Sequence, residues 1–403
     1  MPTTEITTRP KHMLQTFSYA SSMTFQKLAY YGWRSILFLL FTDQLDDSSS
    51  YDLDSLFFWI ALGLAIAYLL GGVLGDLLLG NKRTVITGGI FMFLGSILFF
   101  FDSTIYPYIP IVLFIIGCGL FKSNLKAIYA KLYLHDPRLL DSSFLLLYLF
   151  INIGSFFGAY AVGLIAYYYG IEYGFLTVGL SMVLSSLILL LTKKPVHISE
   201  ESIPERKSIL NAINLKRYAL VFSLFAIFCF TWRITYYEID SLYWEIDFGT
   251  YTIPHYWVEQ LSVIFYMIIG IYLVIIWSKK HYDNITKLTI SVVMTLISFG
   301  LSYFLYSEDS ISTSVITIIA LFAYTFADLL IAPLVDSSIA RSINQKFLGI
   351  AYGSVALFSI GIGYAFSYME KGLKLLIENM FYIGLGALLV LSIVLLFKKL
   401  KTS

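Results

Sequence analysis

The chain has 403 residues, 58% hydrophobic and 13% charged, with mean hydropathy +0.78 and a formal net charge of +1. Soluble domains carry roughly 25% charged residues, so too little polar material is present to coat a water-soluble fold of this size. A nearly neutral balance also gives no electrostatic footprint for nucleic acid.

The apolar residues come in runs of about 18–25, the length of helix that crosses about 30 Å of hydrocarbon. In chain order they predict spans at 17–41, 56–79, 84–101, 108–131, 143–168 and 173–192, then 217–238, 257–278, 285–305, 312–334, 346–369 and 377–397. The polar segment before the first run lacks a charged–apolar–small cleavage pattern, so the first span is expected to be retained. Between spans six and seven, KKPVHISEESIPERKSILNAINLK (193–216) is the only long polar connection. It divides the chain into a six-helix bundle at 1–192, a linker at 193–216 and a second six-helix bundle at 217–403. Equal six-span halves are the layout of the major facilitator fold, whose substrates bind near the midplane between the halves. The expectation is an all-α integral membrane protein of twelve transmembrane helices in two six-helix halves.

Basic residues give the orientation. With the N-terminus inside, 21 of the 27 Lys and Arg fall on inner loops or inner helix ends, and only Lys371 and Lys374 on outer loops. This positive-inside bias places both termini and the linker in the cytoplasm, in a multi-pass protein of the cell (inner) membrane. Four basic residues remain deeper inside spans: Lys27, Arg34, Lys122 and Arg233.

A charge at the bilayer centre costs at least ~2.5–3.5 kcal/mol, so such residues face a cavity or a partner. At 1.5 Å per residue, Lys27 lies roughly 15 Å from its inner helix end and Arg34 roughly 10 Å from its outer end, beyond snorkelling reach. Arg233, about 8 Å from its outer end, is within that reach. Lys27, Tyr30, Tyr31 and Arg34 fall at i, i+3, i+4 and i+7, one helical face. Two cations and two phenols on one stripe suit a cavity that accepts an anionic group; burial against acids of neighbouring helices is the structural alternative. In span four, Lys122, Lys126 and Tyr129 share a face. In span five, Tyr148, Asn152 and Ser155 share another and are able to hydrogen-bond a polar solute or a neighbouring helix. Asp328, five residues before Pro333, is the clearest intramembrane acid, while Glu238 and Glu259 sit near outer ends. A first-half cation paired with Asp328 would favour closure of the halves, which makes Lys27, Lys122, Asp328 and Glu238 the gating and coupling candidates. G-x-x-x-G spacings at Gly71/Gly75, Gly154/Gly158 and Gly349/Gly353 read as close helix packing rather than a dimer seam, and the expected state is a monomer.

Catalytic and metal motifs are missing from the sequence, with no H-E-x-x-H, P-loop or G-x-S-x-G. His12, His135, His197, His255 and His281 have no metal spacing, and Cys118 and Cys229 lie inside apolar runs as core residues. The acidic stretch Asp43, Asp46, Asp47, Asp52 and Asp54 reads as a solvated outer loop rather than a magnesium site. No enzyme activity, metal or cofactor is expected.

Five blocks carry a family resemblance. AYYGWRSIL at 29–37, GGVLGDLLLGNKRTVITGGI at 71–90, GCGLFKSNLKAIYAKLY at 117–133, FLLLYLFINIGSFFG at 144–158 and ADLLIAPLVDSS at 327–338 resemble blocks of the proton-dependent oligopeptide transporter (POT/PTR) family of the major facilitator superfamily. The second block is shared across that superfamily; the third and fourth are more specific, placing Lys122 on the family's fourth-span lysine and Tyr148 and Asn152 on its fifth-span signature. The resemblance implies a proton-driven symporter of di- and tripeptides, with Tyr30, Tyr31, Arg34, Lys122, Asn152 and Asp328 lining the cavity. The chain also departs from the pattern. The family's first-span E-x-x-E-R reads Met23, Thr24, Phe25, Gln26, Lys27, so both acids are gone. Asp328 replaces a glutamate, Ser123 a proline and Val355 a tryptophan, and the seventh-span glutamate position falls on Tyr236, with Glu238 two residues on. Peptide symport is thus the leading reading. Its alternatives are a carrier of another small organic anion without proton coupling, and a non-transporting sensor or partner-binding protein on the same scaffold.

Overall fold

The computed structural model describes residues 9–43, 53–101, 108–134, 136, 139–192, 245–247, 252–280, 282–304 and 311–372. The expected spans at 217–238 and 377–397, the 193–216 linker, Arg233, Glu238 and Cys229 lie outside these residues, as does the side chain of Glu259.

Helix α1 is Arg9–Asp43, α2 Leu53–Leu74, α3 Asn81–Phe101 and α4 Tyr108–Lys131. Helix α5 is Leu140–Phe157, α6 Gly163–Tyr169 and α7 Ile171–Leu191, with a wider π turn at Gly158–Val162 joining α5 to α6. After a two-stranded hairpin come α8 (His255–Lys279), α9 (Asn284–Phe304), α10 (Ile311–Ser342) and α11 (Leu348–Gly372). Among the described residues, nine helical stretches are long and apolar enough to cross a membrane. The 35-residue α1 is not one of them, because the polar stripe that includes Lys27 and Arg34 dilutes its apolar run. Glycine breaks the helices where the chain must reverse. Gly80, at φ +80°, separates α2 from α3, and Gly170, at φ +115°, separates α6 from α7; this backbone region is costly for residues bearing a Cβ.

One expectation changes. The tenth span, expected to end at 334, continues through Pro333 to Ser342. Hydropathy ends the span at its polar tail, but the tail stays helical because its polar groups find partners: Ser337 Oγ donates to the Leu334 carbonyl (3.1 Å) and Arg341 donates to Asp141 (2.7 Å). The stretch before the eighth span contains strand β1 (Glu245–Asp247) antiparallel to β2 (Thr252–Pro254), with Ile246 opposite Ile253.

The chain forms two compact units. The first comprises Met1–Ser143, Phe150–Tyr218 and Ile339–Gly361; the second comprises Phe144–Leu149, Ala219–Ser338 and Ile362–Ser403. In the first, glycines let backbones meet: Gly71 lies on the Gly119 carbonyl, Gly154 on Thr24, Gly158 on Leu28 and Gly353 on Tyr68. All three G-x-x-x-G pairs are packing seams within the chain, as expected. Aromatic stacking fills the spaces between, with Trp33 on Phe114 and Phe99 on Phe175, both at 4.4 Å between centroids. In the second unit, Ile269, Leu273 and Trp277 form one stripe of α8 and bury against Leu145, Leu329 and Leu330. Ser291 and Ser298 donate to the Ala327 and Ala320 carbonyls (2.9 and 2.8 Å), stitching α9 to α10.

Candidate functional site

In the first unit the site is built from α1, α2 and α4. From Gly117 to Ala130 every residue of α4 is buried except Lys122 and Lys126. These two, at i and i+4, form a half-buried polar stripe on this part of the helix, whose exposed apolar residues Ile109, Val112 and Ile116 lie nearer its start. The Lys122 ammonium lies 4.6 Å from the centre of the Tyr68 ring on α2, and that of Lys126 lies 5.8 Å from the Tyr352 ring. On α1, Lys27 is buried, its ammonium 5.5 Å from the Tyr30 ring and 5.8 Å from the Tyr31 ring. Tyr30 and Tyr31 meet edge to face at 5.2 Å. Cations over ring faces gain about 0.5–2 kcal/mol each, more where water is excluded. Lys27 lies within electrostatic range of Lys126, and the Cys118 side chain lies near both Lys27 and Lys122. Tyr68 lies within the same range of Tyr30 and Tyr31. Three lysines and three tyrosines of α1, α2 and α4 therefore group together, with Tyr352 of α11 beside Lys126. The chemistry of this cluster suits an anionic group flanked by apolar surface.

Of the residues singled out from sequence, Lys27, Tyr30, Tyr31, Lys122 and Lys126 belong to this cluster. Arg34, on the same stripe of α1, is exposed, and among the described residues no hydrogen bond or ion pair holds it. Asn152 is half-buried on α5 within the same unit. Tyr129, which shares a predicted face with the lysines, is fully buried, and its hydroxyl donates to the Ser143 carbonyl (2.8 Å). It joins α4 to α5 and faces away from the polar stripe. Ser155 likewise donates within its own helix, to the Ile151 carbonyl (2.9 Å). Met23 and Gln26, standing where the resemblance calls for acids, are both fully buried.

In the second unit, Asp328 of α10 is half-buried and accepts a hydrogen bond at Oδ2 from the Tyr266 hydroxyl of α8. Tyr324 lies one turn before Asp328, and both Tyr324 and Tyr148 interact electrostatically with Tyr266. This is a carboxylate held by a phenol. A buried carboxylate needs such donors, because leaving it unpaired in a low-dielectric interior is expensive.

Sequence reasoning missed Tyr68, Tyr266, Tyr324 and Tyr352, since isolated tyrosines in spans carry no motif; their mid-span position was the available signal. It also missed two structural acids in the first unit. Asp76 accepts from the Asn81 side chain and from the Ile350 backbone N–H, both at 2.8 Å, so a carboxylate caps the first turn of α11. Asn81 also donates to Asn124 (2.8 Å) and accepts from Lys131 (2.6 Å). Asp141, only 1% exposed, pairs with Arg341. Among the described residues no group of His, Cys, Asp or Glu has the arrangement of a metal site.

The chain is 26% identical over 304 residues to the uncharacterized transporter YclF of Bacillus subtilis (strain 168), an alignment that covers 74% of this chain and 57% of the relative. It is 35% identical over 165 residues to dipeptide and tripeptide permease B of Aliivibrio fischeri (strain MJ11), covering 40% of this chain and 32% of the permease. The chain thus spans at most a little over half the length of these two relatives. Among solved structures, the transporter FucP in the outward conformation superposes with TM-score 0.71 at 14% identity, covering 96% of this chain and 99% of FucP. The POT family transporter PepTSo superposes with TM-score 0.63 at 14% identity, covering 95% and 97%. At these identities the structures establish the fold, and they imply twelve spans where nine are described. The family profile of the Major Facilitator Superfamily matches residues 23–368, most of the chain, and on that match the protein belongs to this superfamily of membrane transporters and is not an enzyme.

Proposed function

We propose that the protein is a secondary transporter of small peptides or peptide-like solutes, working by alternating access. The observation that carries this reading is the polar stripe of α4. Between residues 117 and 130 only Lys122 and Lys126 of this helix are not fully buried, and Lys27, Tyr30, Tyr31 and Tyr68 are grouped about them. A solute carboxylate matches this chemistry, and a half-buried acid at Asp328 matches a solute amino group. Partial similarity to dipeptide and tripeptide permeases points the same way. Tyr30, Tyr31, Arg34, Lys122, Tyr148, Asn152 and Asp328 are the proposed recognition residues. Lys27, Lys122, Asp328 and Glu238 are the proposed coupling and gating groups. The bundles at 1–192 and 217–403 act as the two rocking halves, in a cell membrane, with the termini and the linker cytoplasmic.

The loss of both first-span acids favours one alternative, a carrier of other organic anions that does not use protons. Reconstituted protein and a panel of dipeptides, capped dipeptides and simple carboxylates, with and without a pH gradient, separate the two. Uptake of dipeptides driven by an inward proton gradient supports the first reading; gradient-independent uptake of carboxylates alone replaces it with the second. Orientation has its own test. Single cysteines at Ser48 and Ser202, in a background lacking Cys118 and Cys229, meet an impermeant thiol reagent in sealed cells. Labelling of the first and sparing of the second is expected; equal labelling refutes the topology.

A further inference from the structure

The proposed function gives Asp328 a role but leaves unexplained how one short carboxylate, half-buried in a span, is held in a single orientation. Rotation about the terminal bond of an aspartate is broad, so without a fixed donor both oxygens would exchange places. The donor is the Tyr266 hydroxyl, on Oδ2. Its ring is held in turn. Tyr266, Ile269, Leu273 and Trp277 recur at i, i+3, i+7 and i+11 on one face of α8, and Tyr266 packs on the apolar cluster that those residues form with Leu145, Leu329 and Leu330. An aromatic body anchored in apolar contacts with its polar tip aimed at a carboxylate is a rigid donor, because only two side-chain torsions set its position. Among the described residues the other oxygen, Oδ1, has no hydrogen-bond partner, and Asp328 retains accessible surface. One oxygen is tied and one is presented.

We propose that Tyr266 is the positioning residue for Asp328, fixing Oδ2 so that Oδ1 is the acceptor offered to a cationic group of the transported solute. The proposal rests on the reading of Asp328 as a recognition group. It adds that recognition at Asp328 depends on a phenol two helices away in sequence.

The test uses the full-length protein. Tyr266→Phe removes one oxygen atom and retains the ring packing. Its expected effect is a rise of about tenfold in KM for Ala-Ala uptake, with kcat within about twofold and uptake of N-acetyl-Ala-Ala unchanged, a factor equal to one charge-assisted hydrogen bond. Asp328→Glu moves the carboxylate out of register while keeping its charge, and it should reproduce the same split even if the first variant folds poorly. An equal rise for both ligands, or none, overturns the positioning role. A second arm needs no transport. In infrared spectra of substrate-free protein, the Asp328 carboxylate band, assigned by its loss in Asp328→Asn, should shift in Tyr266→Phe. A band that does not move overturns the proposal. If the wild type takes up neither ligand, the peptide reading fails while the infrared arm still decides whether Tyr266 holds Asp328.

Discussion

The two units solve opposite electrostatic problems with the same side chain. In the first, Lys27 and Lys122 lie against the ring faces of Tyr30, Tyr31 and Tyr68, and the aromatic quadrupole stabilises the ammonium. In the second, Asp328 meets the hydroxyl of Tyr266, and the phenol stabilises the carboxylate as a donor. A tyrosine presents a negative face and a positive O–H, so one residue type serves either sign of charge. The difference teaches which atom matters in each unit: the ring in the first, the hydroxyl in the second.

The sharpest way to break this comparison is at the carboxylate. Proton coupling cannot use the first-span positions, because Met23 and Gln26 do not titrate, which leaves Asp328 as the best-placed acid among the described residues. Asp328→Asn is expected to abolish accumulation driven by a pH gradient while leaving exchange of labelled for unlabelled solute across the membrane. Accumulation at the wild-type level removes Asp328 as the coupling group. A wild type that transports but ignores the gradient identifies a facilitator.

Next in size is the cation. Lys122→Gln should leave a folded protein whose kcat/KM for uptake falls about 30-fold or more, the equivalent of losing a hydrogen bond between charged groups worth about 2 kcal/mol. Uptake kinetics in proteoliposomes measure this. Normal kinetics would detach the α4 stripe from substrate recognition.

Within the first unit, the ion pair of Asp141 and Arg341 provides a contrast with the site. Asp141→Asn removes the carboxylate that accepts from Arg341 at 2.7 Å, and breaking such a pair costs about 3 kcal/mol. The apparent Tm in detergent should drop by several degrees. Arg341→Gln should do the same, and the double variant should be no worse than either single one, with a coupling of at least about 1 kcal/mol. Additive losses would mean that the two side chains do not act as a pair.

The smallest effect tests ring against hydroxyl directly. Tyr68→Phe preserves the face over Lys122 and should change KM by less than about twofold. Tyr68→Leu, which removes the quadrupole, should raise it about fivefold, in line with about 1 kcal/mol for a cation–aromatic contact. The reverse ranking would show that Tyr68 works through its hydroxyl, as Tyr266 does.

Much of the architecture was legible in the order of residues. Apolar runs of spanning length fixed the helices, because a backbone in hydrocarbon must satisfy its own hydrogen bonds and a helix does so locally. The α4 span was placed at 108–131, matching Tyr108–Lys131, and the cationic stripe of α1 was visible because helical periodicity is a property of spacing alone. The glycine pairs were readable as seams for the same reason. What sequence left undetermined depends on neighbours distant in the chain. Hydropathy cut α10 at 334, since the partners of its polar tail include Asp141, some 200 residues earlier. Tyr129 shared a face with Lys122 on paper, yet α5 covers it. Tyr68 and Tyr266 had no local signal, because a tyrosine's ring or hydroxyl acquires its role only when another helix brings an ammonium or a carboxylate within reach. Spacing along one helix determines which residues share a face; only the packing of several helices decides what that face meets.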